Sequence, residues 1–490
     1  MKKFKMAIKY LIVVLFIIVN STPFFAQNTF GSINSNYSPT SSVLINPSSI
    51  SNSKTFLDIN LAGAGIYANN NLLMIPNSNF FNILTTGTTI DRKKDLFYDQ
   101  YTLNHKQTIN LFSKIFIAGP GFIITQGDHS GGLSFNNRSY RAIQNIPYFI
   151  GSFAERGLTD FPRQQGKDFE AKNMRYAAFN FSEIKASYSN TFYKKDKNII
   201  AAGISIKKFY SLAGSAANIN DLSFNVHNDT ALSIYKFDAD RMRTDGGLYR
   251  KGGMGIDIGV TYQKMLVNST GYLPHMVKSG CRYVPYKYKV GLSIIDIGSV
   301  KFDQTKETYY GYNYKDIEIN GYSNITTNPD SVASIFSSQD DLKTGLVKKT
   351  NKIMLPTFIS AQVDYNIWAS ALYVNAMIVQ GISHSDKNFG IRHASSISIT
   401  PRFETRIVDF ALPFSLYEYS KAQLGMSFRI GPLTIGSDKF INWIINSDLY
   451  GGDIYVYFKV PIIYHPQCRE MVLNRKRKQS DWKSKINCAF

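Results

Sequence analysis

The sequence predicts an all-β fold, a transmembrane antiparallel β-barrel of about 14 strands with a few short helices, and three observations carry that prediction. Apolar and polar residues alternate with period two from near residue 55 to residue 462. Aromatics make up 14% of the chain, with 31 Tyr and 34 Phe, against 18% charged residues, and the mean hydropathy is −0.16. A wall with hydrocarbon on one side and water or a plug on the other has that balance. Past residue 26, no apolar run reaches the roughly 18 residues that a spanning helix needs.

Residues 1–26 read as a secretory signal peptide. Lys2, Lys3, Lys5 and Lys9 form a positive start, Leu11 to Val19 is unbroken apolar, and Asn20 to Ala26 is a polar-to-small exit. Phe24 is bulkier than the usual residue three positions before a cut. The expected mature start is Gln27, and the expected location is the cell outer membrane. No Cys follows the apolar core, which argues against a lipoprotein anchor.

Residues 27–54 are rich in Asn and Ser, and Asn46-Pro47 lies near their end. A barrel of this width is not filled by strand side chains alone. This segment is the first candidate for a hatch or plug in the lumen. Proline locks φ and pushes the residue before it toward extended geometry, so Asn46 and Pro47 would fix a bend in it. The stretch 143–160, with Ile146, Phe149, Ile150 and Phe153 at helical spacing, is the second candidate. The irregular insert 303–350 holds a candidate helix around Ser331 to Leu342.

Residues 55–462 form the expected barrel. Ile256-Asp257-Ile258-Gly259-Val260-Thr261-Tyr262 puts its apolar side chains on one face, as do Leu424 to Ile430 and Ile454 to Val460. Ile258, Val260 and Tyr262 are expected to face lipid, and Asp257, Gly259 and Thr261 the lumen. Arg at Thr261 should then be better tolerated than Arg at Ile258. Candidate strands fall near 55–68, 107–117, 120–126, 131–141, 174–193, 198–211, 222–236, 253–265, 286–302, 352–366, 368–382, 394–408, 409–419, 422–431 and 452–462. That is one more than an even barrel allows. Reading 394–419 as one bent strand, or merging 120–126 with a neighbour, removes the excess.

Residues 463–490 are a basic tail containing Arg475-Lys476-Arg477-Lys478. The formal charge of +20 points, in an exported chain, to anionic lipid and lipopolysaccharide phosphates, with other envelope proteins as further partners, and not to nucleic acid. Of three cysteines, Cys468 and Cys488 bracket the tail and are candidates for a disulfide, with two free thiols as the alternative. Seven scattered histidines, with no paired carboxylates, phosphate loop or metal-ligand spacing, give no catalytic, cofactor or metal site. Ser383-His384-Ser385-Asp386 has the residue types of a triad but reads as a solvated turn.

The stretch SPTSSVLINPSSISNSKTFLDINLAGAGIYANN from Ser38 resembles the start of an uncharacterised Bacteroidetes outer-membrane barrel family, known as a domain of unknown function. GPLTIGSDKFINWIINSDLYGGDIYVYFKVPI from Gly431 resembles its closing hairpin, and GGMGIDIGVTYQK and VGLSIIDIGSVKF resemble its paired central strands. More distantly, Asn46-Pro47 before a barrel is similar to the hatch motif of the long-chain fatty-acid transporter superfamily, with Ser48 where that motif has Ala. The resemblance implies a barrel passing a small or hydrophobic solute. It equally admits a non-transporting scaffold component of an envelope machine, such as type IX secretion or gliding, because a shared fold does not choose between functions.

Overall fold

The computed structural model describes residues 29–86, 96–99, 103, 107–156, 166–227, 231–243, 252–281, 283–318, 345–368, 370–383 and 388–469. The expected signal peptide, the helix expected at 331–342, the Ser383–Asp386 turn beyond its first residue, Cys488 and the tail from residue 470 lie outside them. Among the described residues no helix is long and apolar enough to cross a membrane.

Fourteen antiparallel staves close on themselves. They are β1 (Leu57–Asn70), β2 (Ile109–Gln126), β3 (His129–Ile146), β4 (Asp168–Lys195), β5 (Asn198–Val226), and β6 in two pieces (Ala231–Arg243 and Gly253–Met265). Then come β7 (Tyr286–Glu318), β8 in two pieces (Gly345–Met354 and Phe358–Trp368), β9 (Leu372–Gly381) and β10 (Ser396–Glu404). β11 (Val408–Ala411 with Phe414–Tyr417), β12 (Lys421–Leu424 with Met426–Ile430), β13 (Leu433–Ser437) and β14 (Asp453–Ile462) complete the ring. β1 pairs with β2 on one side and with β14 on the other. An outer-membrane-type barrel needs this closure, because a lipid-exposed edge would leave backbone groups without partners.

The alternation in the sequence becomes the two faces of the wall. In the second piece of β6, Ile258 is 51% exposed and Val260 40%, while Asp257 and Thr261 are 0% and 1% exposed. Tyr188, Tyr193, Tyr365 and Trp368 are exposed near the end with the short connections, where they make the aromatic girdle expected at an interface. That end also carries the start of β1 and the end of β14, as an even number of staves requires.

Three departures from the expected strand list have local causes. The candidates 107–117 and 120–126 are one strand, β2, whose register slips between Ala118 and Gly121. Residues 222–236 fall across the end of β5 and the start of β6 instead of forming one strand. β13, only five residues long, replaces it in the count. The pair 394–419 is two staves, paired at Arg402–Ala411 and Phe403–Phe410.

The wall is strongly uneven in height. β4, β5 and β7 run 28, 29 and 33 residues, whereas a tilted membrane strand needs about 9–11. Their surplus forms a one-sided projection at the long-connection end. The helix Tyr148–Arg156 packs there, its Phe149 against Phe169 and Phe224. The second candidate plug therefore stacks on the tips of β4–β6, because the strand feeding it, β3, leaves the wall only at Ile146.

Candidate functional site

Residues 29–56 thread the lumen, and almost every side chain there is buried. The apolar ones, Phe30, Ile33, Ile45 and Ile50, pack on wall residues such as Ile123, Phe358 and Val379. The polar ones reach the wall all round. Phe30 N–H donates to Asp438 at 3.0 Å, Asn34 to Asn375 at 3.0 Å and Ser35 to Asp409 at 2.8 Å. Lys459 donates to Ser38 at 2.8 Å, Ser51 bonds Ser189 at 2.6 Å, and Asn52 donates to Gln263 at 2.9 Å. Buried polar groups must be paired, and short Ser and Asn side chains satisfy a polar wall without importing charge.

Asn46 and Pro47 sit where the bend was expected. Asn46 is extended and caps the 3-10 turn Pro47–Ile50, accepting from Ser48 N–H at 2.9 Å and from the Ser48 hydroxyl at 2.6 Å. Pro at the first position of such a turn costs nothing, since its missing N–H would be unpaired there. The corner docks in a seat of three lumen-facing glycines on β5, β6 and β7. A Cβ on Gly203 would meet the Pro47 backbone at 2.5 Å, one on Gly259 the Asn46 oxygen at 2.1 Å, and one on Gly291 the Asn46 nitrogen at 2.7 Å. Ser48 bonds Thr261 at 2.6 Å beside them. Thr261 is thus lumen-facing as expected, and it is packed against the lumen segment, so an Arg there would collide with Ser48.

A second anchor was not visible in the sequence. The Glu404 carboxylate accepts from Asn36 Nδ2 at 2.6 Å, Asn36 N–H at 3.1 Å and Lys54 Nζ at 2.9 Å. Arg402 braces it at 3.1 Å and also reaches Asp364. The wall members Asp364, Arg402 and Glu404 look ordinary in their own strands. Their one sequence signal is a charged side chain at the inward phase of the alternation.

At the short-connection end the expected cysteine pairing is corrected. Cys468 is bonded to Cys281, not to Cys488, with 5.4 Å between the α-carbons. The β6–β7 connection and the segment after β14 emerge at the same barrel end, which a separation of 187 residues conceals. The same connection holds His275, whose Nε2 lies 2.9 Å from the Ser53 carbonyl. Phe56 packs between His275 and His465, at the root of the lumen segment.

The wall itself has a gap. β13 ends at Ser437, its last pair with β14 being Gly436–Tyr455. The piece Lys421–Leu424 of β12 therefore pairs with β11 but meets no strand on its other side among the described residues. Around this free edge opens a cavity of about 910 Å³. Outward side chains of β10 and β11, Ile397, Ile399, Phe414 and Leu416, line one part. Asn69, Lys421 and Lys439 line the other. Lys439 lies in the β13–β14 connection and donates to Asn69 Oδ1 at 2.8 Å. Burial pushes its ammonium down to about 7, against the opposing pull of Asp453. A second cavity of about 300 Å³ at the long-connection mouth shares Asn69, Asn71 and Lys421 with the first. The first cavity reaches the outer face of the wall and the second lies at the mouth of the lumen, with those three residues between them.

Two solved structures are similar in overall form. The Ralstonia pickettii toluene transporter TbuX aligns over 86% of this chain and 93% of its own, at 9% identity and a TM-score of 0.37. The P. putida toluene transporter TodX aligns over 85% and 91%, at 9% identity and a TM-score of 0.35. No curated protein matches the chain. A family profile, described as a family of unknown function, matches residues 47–438. That span runs from the Asn46–Pro47 corner through β13, and the chain belongs to this family, DUF5723.

Proposed function

We propose that this protein is exported, matures at Gln27, and works in the outer membrane as a barrel that passes a small or hydrophobic solute. The observation that carries the reading is the cavity beside Lys421–Leu424, which joins apolar outer-face side chains to polar groups at the lumen mouth. A solute entering from the mouth can leave sideways into hydrocarbon there without crossing the packed lumen segment. Residues 27–54 act as the hatch that keeps the straight path shut. Outer-membrane lipid and lipopolysaccharide surround the wall.

The test is uptake of a labelled long-chain fatty acid and of toluene, as probes, by cells making the protein or its Ala422→Trp variant. Ala422 lines the cavity, and an indole there fills the gap. Uptake should fall to background in a variant that remains heat-modifiable on gels. Equal uptake by cells lacking the protein would end the proposal.

The one-sided projection of β4, β5 and β7 favours a second reading, a scaffold component of an envelope machine. Strand surface raised far past the height a bilayer needs is available to a partner protein. A stoichiometric protein that co-purifies from outer membranes, and is lost when the tips of β4 and β5 are shortened, would support it.

A further inference from the structure

We propose that the Cys281–Cys468 bond is a redox site, open to a dithiol at the Cys281 sulfur, and that its reduction unclamps the root of the lumen segment. The bond joins two pieces of chain that close on that root. One is the β6–β7 connection, residues 266–285, and the other is the segment that follows β14. Their stems stand on opposite sides of the ring, with β1–β6 between them one way and β7–β14 the other.

The connection crosses by successive holds on the rim. Ser269 N–H donates to the Asp196 carbonyl in the β4–β5 turn at 2.5 Å, and Gly127 N–H in the β2–β3 turn donates to the Pro274 carbonyl at 2.8 Å. On the way it grips the root. The Tyr272 hydroxyl donates to Asn52 Oδ1 at 2.9 Å, and Asn52 Nδ2 donates to the Val284 carbonyl at 3.4 Å. His275 meets the Ser53 carbonyl. The Phe56 ring then lies between two jaws, its centroid 6.1 Å from that of His275 and 4.8 Å from that of His465. Cys281 follows the first jaw and Cys468 the second, so their bond is the covalent tie between the jaws.

Two features make the bond a place for exchange. Cys281 is half-buried while Cys468 is 1% exposed, so the Cys281 side is the one a thiolate can approach. Gly280 and Cys281 also hold left-handed φ values of 70° and 57°, uncommon for a residue with a side chain, so the turn relaxes once the tie is cut. In the exchange, a thiolate of the dithiol attacks the Cys281 sulfur, the Cys281–Cys468 bond breaks, and Cys468 leaves as a thiolate that takes a proton. The second thiol of the reductant gives up its proton and displaces the Cys281 sulfur. The dithiol departs as a disulfide, and both cysteines are left as thiols. The tip bearing His275 is then free to lift from Phe56 and Ser53, while the corner at Asn46–Pro47 keeps its own glycine seat. What this release does for passage rests on residues 27–54 being the hatch, whereas hydrogen exchange involves no solute and reads the clamp apart from that role.

Dithiothreitol is the probe, added to the intact folded protein in detergent micelles. Peptide mapping should show the 281–468 cross-link lost, and exchange at residues 51–56 should quicken by roughly tenfold or more. Exchange at residues 46–50 should keep its rate. The double variant Cys281→Ser, Cys468→Ser should match the reduced protein and not respond to dithiothreitol, which separates this bond from any effect at Cys488. A cross-link that survives dithiothreitol in the folded protein would overturn the redox site. Reduction with unchanged exchange at 51–56 would overturn the clamp. Quickening of 46–50 to the same extent, or loss of heat modification on gels, would overturn it too and assign the bond to the stability of the barrel as a whole.

Discussion

Gly259 and Asn46 are fitted to each other: a Cβ on Gly259 would stand 2.1 Å from the Asn46 side-chain oxygen, well inside contact distance. The absence of a side chain on one strand thus creates the seat for a corner more than 200 residues away in sequence. Gly259→Val should unseat that corner at an overpacking cost of about 1–3 kcal/mol. The barrel should still close, because valine suits a strand. The expected result is faster hydrogen exchange across residues 46–52 and a higher planar-bilayer conductance than that of the unaltered protein. Unchanged exchange and conductance would show that the corner is not held by its seat.

The two faces of β6 should separate in a pair of variants. Ile258→Arg puts a charge on the outward face and should cost about 2–4 kcal/mol of barrel stability in a bilayer if the residue lies near its midplane. Thr261→Arg leaves that face untouched but collides with Ser48 and Asn46, so it should expel the lumen segment without loss of the barrel. Refolding into liposomes reads the first effect, and conductance the second. If both variants lose barrel stability alike, β6 does not stand in hydrocarbon.

Much of this was legible in the sequence because alternation is a local signal. Asp257, Thr261 and Ile258 each show their face within a seven-residue window. The bend at Asn46-Pro47 was legible for a similar reason, since proline acts on its own φ and on its neighbour. β13 was not: five residues with Gly436 among them make too short a window. The Glu404–Lys54–Asn36 anchor was not either, because its members lie in different parts of the chain and meet only after closure. Cys281–Cys468 was missed on the same ground, as nothing local links residue 281 to residue 468. The gap beside Lys421–Leu424 follows from the shortness of β13 and was hidden with it.

The Glu404 anchor should hold the root of the lumen segment. Glu404→Gln removes the charge that Lys54 and Arg402 face, and both are buried. Breaking a buried pair on one side typically costs about 3–5 kcal/mol. The loss should appear as a lower temperature for heat modification on gels. Adding Lys54→Met should restore part of it, since an orphaned ammonium is then removed. A double variant no more stable than Glu404→Gln would place the cost elsewhere.

With Cys281 and Cys468 paired, the third cysteine of the chain has no cysteine left to bond. Denatured, unreduced protein should therefore take up one maleimide, at Cys488, and three after reduction. Peptide mapping should recover the 281–468 cross-link. Loss of that bond in Cys281→Ser should destabilise the short-connection end by about 2–4 kcal/mol. A 468–488 cross-link in the map would refute the pairing.

His275 gives the lumen segment a pH dependence whose sign can be stated. Its Nε2 faces the Ser53 carbonyl at 2.9 Å and its ring packs near Phe56. Burial lowers its pKa below the usual 6.5, outweighing the hydrogen bond to Ser53, and His465 adds to the lowering. Above pH 6.5 the ring is neutral in both folded and unfolded chains, so it adds no slope. Below that value the unfolded chain binds the proton first, and stability falls as pH drops toward the lower folded value. The slope contributed by this one group is at most about 1.4 kcal/mol per pH unit. His275 adopts a left-handed φ of 58°, so Asn, which tolerates that conformation, is the substitution that removes titration with least strain. Corrected for the intrinsic pH dependence of amide exchange, hydrogen exchange at residues 51–56 should quicken from pH 7.5 to pH 5.5 in the unaltered protein and much less in His275→Asn. Equal quickening in both would assign the acid response to another group, with the neighbouring His465 the first to substitute.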